Sequence, residues 1–281
     1  MNNPPPTLMQ LAIEFINLPA LARNLARRHE LIVTLTWRDF RARFLGTFGG
    51  IFWAVIQPLI MMTVYTLIFS TILGVKFGNT DSPFTFAVYL LCGMLPWTAF
   101  SEAFGASTGL VRANTNLVKR VVFPLEVLPL NLALAGAIQQ VIGFLLLIPL
   151  AWIVSGKLYP TILFFPIIMI PQLLISCGIY WLWASLSVFF PDLRNLTVLL
   201  TSVLTFLTPI FYPLTLVPEK FRIILYLNPF TYLVTMYRQV FMDGVLPGPV
   251  GFLKLTLICL AVFMFGYFWF MRTKKGFADV L

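Results

Sequence analysis

Six long runs in this chain carry almost no charge, and each is long enough to cross the hydrocarbon core of a bilayer. Residues 44–75, 127–156, 158–191, 195–218 and 255–271 contain no Asp, Glu, Lys or Arg, and residues 84–110 contain only Glu102. Crossing takes about 20 residues at a rise of ~1.5 Å each, and at that length only a helix pairs all its own backbone groups where there is no water. With 59% hydrophobic and 10% charged residues, the chain is far from a soluble domain, in which charged residues approach about a quarter. The pattern predicts an all-α membrane protein with six transmembrane helices.

The net charge of +9 would suit nucleic acid on a soluble protein. In a bilayer the placement of the basic residues carries the information instead, and no nucleic-acid partner is expected. One side holds Arg23, Arg27, Arg28, Arg38, Arg41 and Arg43 before the first span, Arg112, Lys119 and Arg120 after the second, Arg194 after the fourth, and Arg272, Lys274 and Lys275 after the sixth. The other holds only Lys76, Lys157, Lys220, Arg222, Arg238 and Lys254. The richer side is cytoplasmic, so both termini are expected there. The first apolar run starts too far from Met1 and is too long for a cleavable leader. Cys92, Cys177 and Cys259 all fall in apolar runs, which argues against a disulfide framework.

Several chemistries are excluded by what the chain lacks. There is no G-x-x-x-x-G-K-[ST] phosphate loop, since Ser155-Gly156-Lys157-Leu158 has neither the leading glycine nor the magnesium-holding hydroxyl. His29 is the single histidine, with no Cys/His or carboxylate cluster for a metal and no Ser/His/Asp set. An ion-coupled carrier needs acidic groups at mid-membrane. Glu102 is the one candidate, and its place near the cytoplasmic end of its span fits a hydrogen bond to a neighbouring helix or a basic residue.

The cytoplasmic side carries amphipathic pieces. At ~100° per residue, Val33, Trp37, Phe40 and Phe44 share one face, while Asp39 and Arg43 can pair at i,i+4 elsewhere. This predicts a helix lying in the membrane interface, its aromatic face down and its polar face either idle or offered to a partner protein. Further on, Asn114 to Pro129 reads as a short half-basic helix bounded by asparagine caps and Pro124. Residues 213–244 are too long for a tight loop and too apolar for a solvated one, which predicts two short helices broken at Asn228-Pro229.

Polar groups inside the spans mark a candidate path. Thr197, Thr201, Thr205, Thr208 and Tyr212 recur at helical spacing and form one hydroxyl stripe. Two readings stand: each hydroxyl bonds its own i−4 carbonyl or a neighbouring helix, or the stripe lines a route for sugar hydroxyls. Trp53, Gln57, Met61 and Tyr65 make a similar face in the first span. Trp97, Trp152, Tyr159, Tyr180, Trp181 and Trp183 read as interfacial belt residues.

An ordered series of short motifs runs from about Glu30 to the C-terminus. It comprises Trp37-Arg38-Asp39-Phe40-Arg41-Ala42-Arg43-Phe44, Trp53-Ala54-Val55-Ile56-Gln57-Pro58, Gly93-Met94-Leu95-Pro96-Trp97, Asn116-Leu117-Val118-Lys119-Arg120, Phe123-Pro124-Leu125-Glu126, Pro191-Asp192-Leu193-Arg194-Asn195, Pro209-Ile210-Phe211-Tyr212-Pro213 and Leu227-Asn228-Pro229-Phe230. Together these resemble the permease subunit of type-two ATP-binding cassette exporters, and within that class the branch that exports O-antigen, capsule and teichoic acid polymers on lipid carriers.

The resemblance implies a tail over residues 1–29 and a transmembrane domain over 30–281, with an N-terminal interface helix and a re-entrant helix pair before the last span. It also implies a homodimer in a bacterial inner membrane, with two copies of a separate ATPase docked beneath. ATP and magnesium would then sit on that ATPase, and this chain would bind no cofactor. Arg38, Arg41, Asn116, Lys119, Arg120, Glu126, Asp192 and Arg194 would form the coupling surfaces. Trp53, Gln57, Tyr65 and the hydroxyl stripe would line the path of a lipid-linked polysaccharide, among membrane lipids. A permease of the same superfamily for small hydrophobic drugs or lipids is the alternative, and would call for a less aromatic, less hydroxylated path.

Overall fold

The computed structural model describes residues 26–44, 49–72, 83–118 and 123–281. Among them every regular element is helical. The α-helices are α1 His29–Ala42, α2 Trp53–Thr66, α3 Pro83–Ser107, the short α4 Leu110–Ala113 and α5 Thr115–Val118, α6 Val127–Ser155, α7 Phe165–Phe189, α8 Leu193–Leu207, α9 Glu219–Tyr226, α10 Pro229–Arg238, α11 Pro249–Thr273 and α12 Phe277–Val280.

Among the described residues four segments are long and apolar enough to cross a membrane: Phe84–Ser107, Val127–Ile153, Pro160–Phe189 and Pro249–Val280. They correspond to the second, third, fourth and sixth runs of the sequence. The last helix begins at Pro249, six residues before the charge-free run, and takes in Lys254 on an exposed face of its first turns. The first and fifth runs give shorter apolar helices, Trp53–Tyr65 and Leu193–Leu207. α8 stops at Thr208, which is extended at φ −93°, ψ 128°, since a residue ahead of a proline, here Pro209, is pushed out of the helical region.

Between membrane helices close packing does the work that the hydrophobic effect does in water. α7 and α11 meet through glycines: a Cβ on Gly178 would lie 2.5 Å from the Val262 carbonyl oxygen, and one on Gly266 would run into the Gly178 carbonyl. α3 and α6 use the same device, with Gly136 set against the Ala99 carbonyl. α6 ends on Gly156 in the left-handed region at φ 66°, a conformation glycine adopts without a Cβ penalty. The break between α9 and α10 falls at Asn228-Pro229, where the sequence puts it: Asn228 Oδ1 accepts the Phe230 N–H at 3.0 Å, and Pro229 holds the first helical position.

The aromatic residues correct the belt expectation. Trp97, Tyr180 and Trp181 are buried, and Phe100 gathers Trp97, Phe104, Tyr180 and Phe230 at centroid distances of 4.5–5.7 Å. Each buried polar tip has found a partner inside the protein. Tyr180 donates to the Phe100 carbonyl at 2.8 Å, Trp181 to the Glu126 carbonyl at 2.8 Å and Trp183 to Thr197 Oγ1 at 2.8 Å. Trp152, near the end of α6, is exposed.

Candidate functional site

α1 sets the site. α1 buries Ile32, Thr36 and Phe40 against α6, with Phe44, Ala54, Ala135, Ile138 and Ile142 in the same cluster. The buried stripe is therefore turned by about one residue from the one the sequence predicts. Val33 and Trp37 stay exposed and line an apolar groove with Leu134, Ala137, Ile138 and Val141. The i,i+4 pairing of Asp39 with Arg43 does not form. Asp39 takes its neighbour Arg38 at 2.8 Å, and Arg43 reaches Gln139 Oε1 at 3.0 Å and Glu102 Oε2 at 3.5 Å. Glu102 thus does pair with a basic residue on a neighbouring helix.

These side chains wall a cleft of about 540 Å³ between α1, α2, α3 and α6, where Arg38, Asp39, Arg43, Gln57, Glu102, Asn114 and Gln139 supply the polar lining. A small cavity of about 40 Å³ beside it shares Gln57, Glu102 and Gln139 and is lined also by Met61, Met94 and Thr98. Pro58, Leu91 and Leu95 are shared with a separate apolar hollow of about 190 Å³ walled by Leu59, Leu146, Leu150 and Ile153. Paired cations, carboxylates and amides in the cleft and hydrocarbon in the neighbouring hollow give complementary surfaces for the two parts of an amphiphile.

The first-span face is divided. Gln57 opens to the cleft, Trp53 is exposed with its indole lying beside Gly49, and Tyr65 packs on Phe211 at 5.7 Å. The threonine stripe turns inward. Thr197, Thr201, Thr205 and Thr208 donate to the carbonyls of Leu193, Thr197, Thr201 and Leu204 at 2.6–2.8 Å. Thr197, Thr205 and Thr208 also accept from Trp183, Trp97 and Asn228 at 2.8–2.9 Å. Tyr212 donates to the Phe206 carbonyl. In this geometry the stripe seats α8 on α3 and α7.

Of the coupling residues, Asp192 and Arg194 are exposed at the start of α8, and Asn116 lies in α5. Arg41 sits over the Trp37 ring at 4.8 Å. Lys119 and Arg120 lie outside the described residues. The Glu126 side chain is 7% exposed and held by Arg28 at 2.6 Å and Lys274 at 3.3 Å.

Two buried polar clusters escape the sequence reading. Gln140 and Gln172 exchange amide hydrogen bonds at 2.9 and 2.6 Å, Tyr237 donates to Gln172 at 2.7 Å, and Gln172 reaches the Pro96 carbonyl. This joins α3, α6, α7 and α10. Arg238, almost fully buried, donates to the carbonyls of Pro209 at 2.7 Å, Ile210 at 2.8 Å and Tyr89 at 3.3 Å, with its guanidinium 3.4 Å from the Tyr89 ring centroid. The signal for it was present: a cation in an otherwise apolar segment is rarely idle.

The family model for ABC-2 type transporters matches residues 30–242. The chain belongs to the ABC-2 type transporter family. Its relatives include the O-antigen export system permease protein RfbA of Klebsiella pneumoniae, 29% identical over 270 residues that cover 92% of this chain and 97% of the relative. RfbA of Myxococcus xanthus is 27% identical over 266 residues, covering 92% and 98%. The polysialic acid transport protein KpsM of Escherichia coli is 28% identical over 239 residues, covering 84% and 90%. The membrane-spanning ABC-2 architecture makes this chain a transport subunit rather than an enzyme.

Proposed function

We propose that this ABC-2 chain is the permease subunit of an ATP-driven exporter that moves a lipid-linked polysaccharide across the bacterial inner membrane. The observation that carries the reading is the match over nearly the whole length to permeases named for O-antigen and polysialic acid. The cleft adds physical support, since its polar lining suits a carbohydrate head and the apolar hollow near it a lipid tail. In this reading the chain forms a homodimer of six-span subunits, with both termini cytoplasmic. α2 and α8 complete their crossings together with flanking segments, and α9 and α10 dip back into the membrane as a re-entrant pair. Two ATPase subunits dock below on the interface helix, the segment over 112–126 and the turn at Asp192, and they hold the ATP and magnesium.

The test reconstitutes the chain with its cognate ATPase in proteoliposomes. ATP-dependent uptake of lipid-linked polymer into inverted vesicles, and no hydrolysis by the isolated chain, is the expected result. Uptake of a small amphiphile but no polymer would overturn the polysaccharide reading in favour of a drug or lipid permease, and calorimetric ATP binding by the isolated chain would overturn the division of labour.

A further inference from the structure

We propose that Glu126 is a positioning residue that ties the cytoplasmic coupling segment to both ends of the chain, so that a push on that segment reaches α1, α6 and α11 together. The proposal rests on the reading of this chain as an ATP-coupled permease.

Glu126 is the last residue before α6 and closes the segment that begins after α3. Its two carboxylate oxygens are taken by different cations: Oε1 accepts from Arg28 at 2.6 Å, one residue before α1, and Oε2 from Lys274 at 3.3 Å, in the turn after α11. Its backbone carbonyl accepts the Trp181 indole N–H at 2.8 Å, which adds α7. The C-terminal segment is seated as firmly on its apolar side, where Phe277 is fully buried against Phe270 and Phe189 at 5.5 and 6.0 Å.

One buried carboxylate shared by two cations is a joint that fails as a unit. Without its charge, Arg28 and Lys274, both partly exposed, lose the one carboxylate that draws them to the same point, and each is free to turn to solvent. Energetic coupling between distant sites travels through contiguous contacts of this kind. The residues after the last span are then part of the coupling apparatus.

The test uses the full complex with its ATPase in vesicles and reads polymer exported per ATP hydrolysed. Glu126→Gln is expected to assemble with the ATPase and to hydrolyse ATP, while export per ATP falls about fivefold or more, the lower end of an ordinary coupling energy. Lys274→Glu alone should do the same. The double exchange Glu126→Lys/Lys274→Glu returns one carboxylate and two cations to the cluster and should recover at least half of the loss, which a merely space-filling role would not give. If Glu126→Gln does not accumulate, Lys274→Gln, which leaves Arg28 on the carboxylate, is read in its place. Wild-type export per ATP in both Gln variants, or a stable double exchange that recovers nothing, overturns the proposal. A wild-type complex that exports no polymer at all would overturn the functional reading instead.

Discussion

Replacing Arg238 tests whether a buried cation holds the α9–α10 pair against the rest of the membrane domain. Its guanidinium makes two short bonds, to the carbonyls of Pro209 and Ile210, and a longer one to Tyr89. A hydrogen bond to a charged group contributes about 1.5–3 kcal/mol, so the two short ones alone represent roughly 3–6 kcal/mol. Desolvation of the cation offsets part of this. Hydrogen bonds measured inside membrane proteins average nearer ~0.6 kcal/mol, which places Arg238→Met at a net loss of about 2–4 kcal/mol. For a domain of this size that corresponds to a fall of about 4–16 °C in the apparent midpoint of thermal unfolding. Arg238→Lys keeps the charge, but a single ammonium cannot reproduce the planar fork that meets several carbonyls at once, so it should fall between. The assay is a melting series in nanodiscs beside export in cells lacking the native chain. A Met variant that melts with the wild type, or a Lys variant indistinguishable from Arg, would refute the argument that these carbonyls depend on the guanidinium.

In a background with Cys92, Cys177 and Cys259 replaced, Gln57→Cys should react with a small water-soluble thiol reagent while Thr197→Cys and Thr208→Cys stay protected; equal labelling would return the threonine stripe to the aqueous route. Gln140→Leu or Gln172→Leu alone should cost about 1–3 kcal/mol by leaving the partner amide unpaired, and the double substitution should cost less than the sum, as read by chemical denaturation. Gly266→Ala should already destabilise by about 1–3 kcal/mol, because its Cβ meets the Gly178 carbonyl; an unchanged melting midpoint would mean that α7 and α11 are free to separate. Lys119→Glu/Arg120→Glu should abolish co-purification of the ATPase while membrane insertion stays normal, since the N-terminal arginines still supply the positive side.

The charge-free runs made the helices legible, because a bilayer leaves few alternatives for an uncharged stretch of that length. Caps were legible too: Asn228-Pro229 states a helix start in its own chemistry. What periodicity could not supply was direction. The threonines of α8 do lie on one face, but spacing cannot say whether that face meets water, lipid or protein, and the indoles of Trp97 and Trp183 that receive it lie 108 and 14 residues away in the chain. The same limit turned α1 by one residue, since the side that buries Ile32, Thr36 and Phe40 is chosen by α6 and not by the helix's own pattern. Gln140, Gln172 and Tyr237 were hidden for a related reason. Each is unremarkable in its own run, and only the fold brings them within 2.6–3.2 Å.

These buried polar contacts also divide the domain by how tightly its parts are held. α3, α6, α7 and α10 share the Gln140–Gln172–Tyr237 cluster, and α11 is locked to α7 by backbone approaching backbone at Gly178 and Gly266. α2 is different. Ala54 is its buried anchor, whereas Trp53, Ile56, Leu59, Ile60, Met61 and Val64 are exposed around its circumference, together with the amide of Gln57. An amide held in hydrocarbon without a partner carries a substantial desolvation cost, so a lipid-facing position for Gln57 is the costly one. The same helix borders both cavities, with Gln57 in the polar cleft and Pro58 and Leu59 beside the apolar hollow. Gln57 borders the cleft while the threonine stripe is spent on contacts inside the protein, which is why Gln57 is the position on which the aqueous-labelling experiment turns.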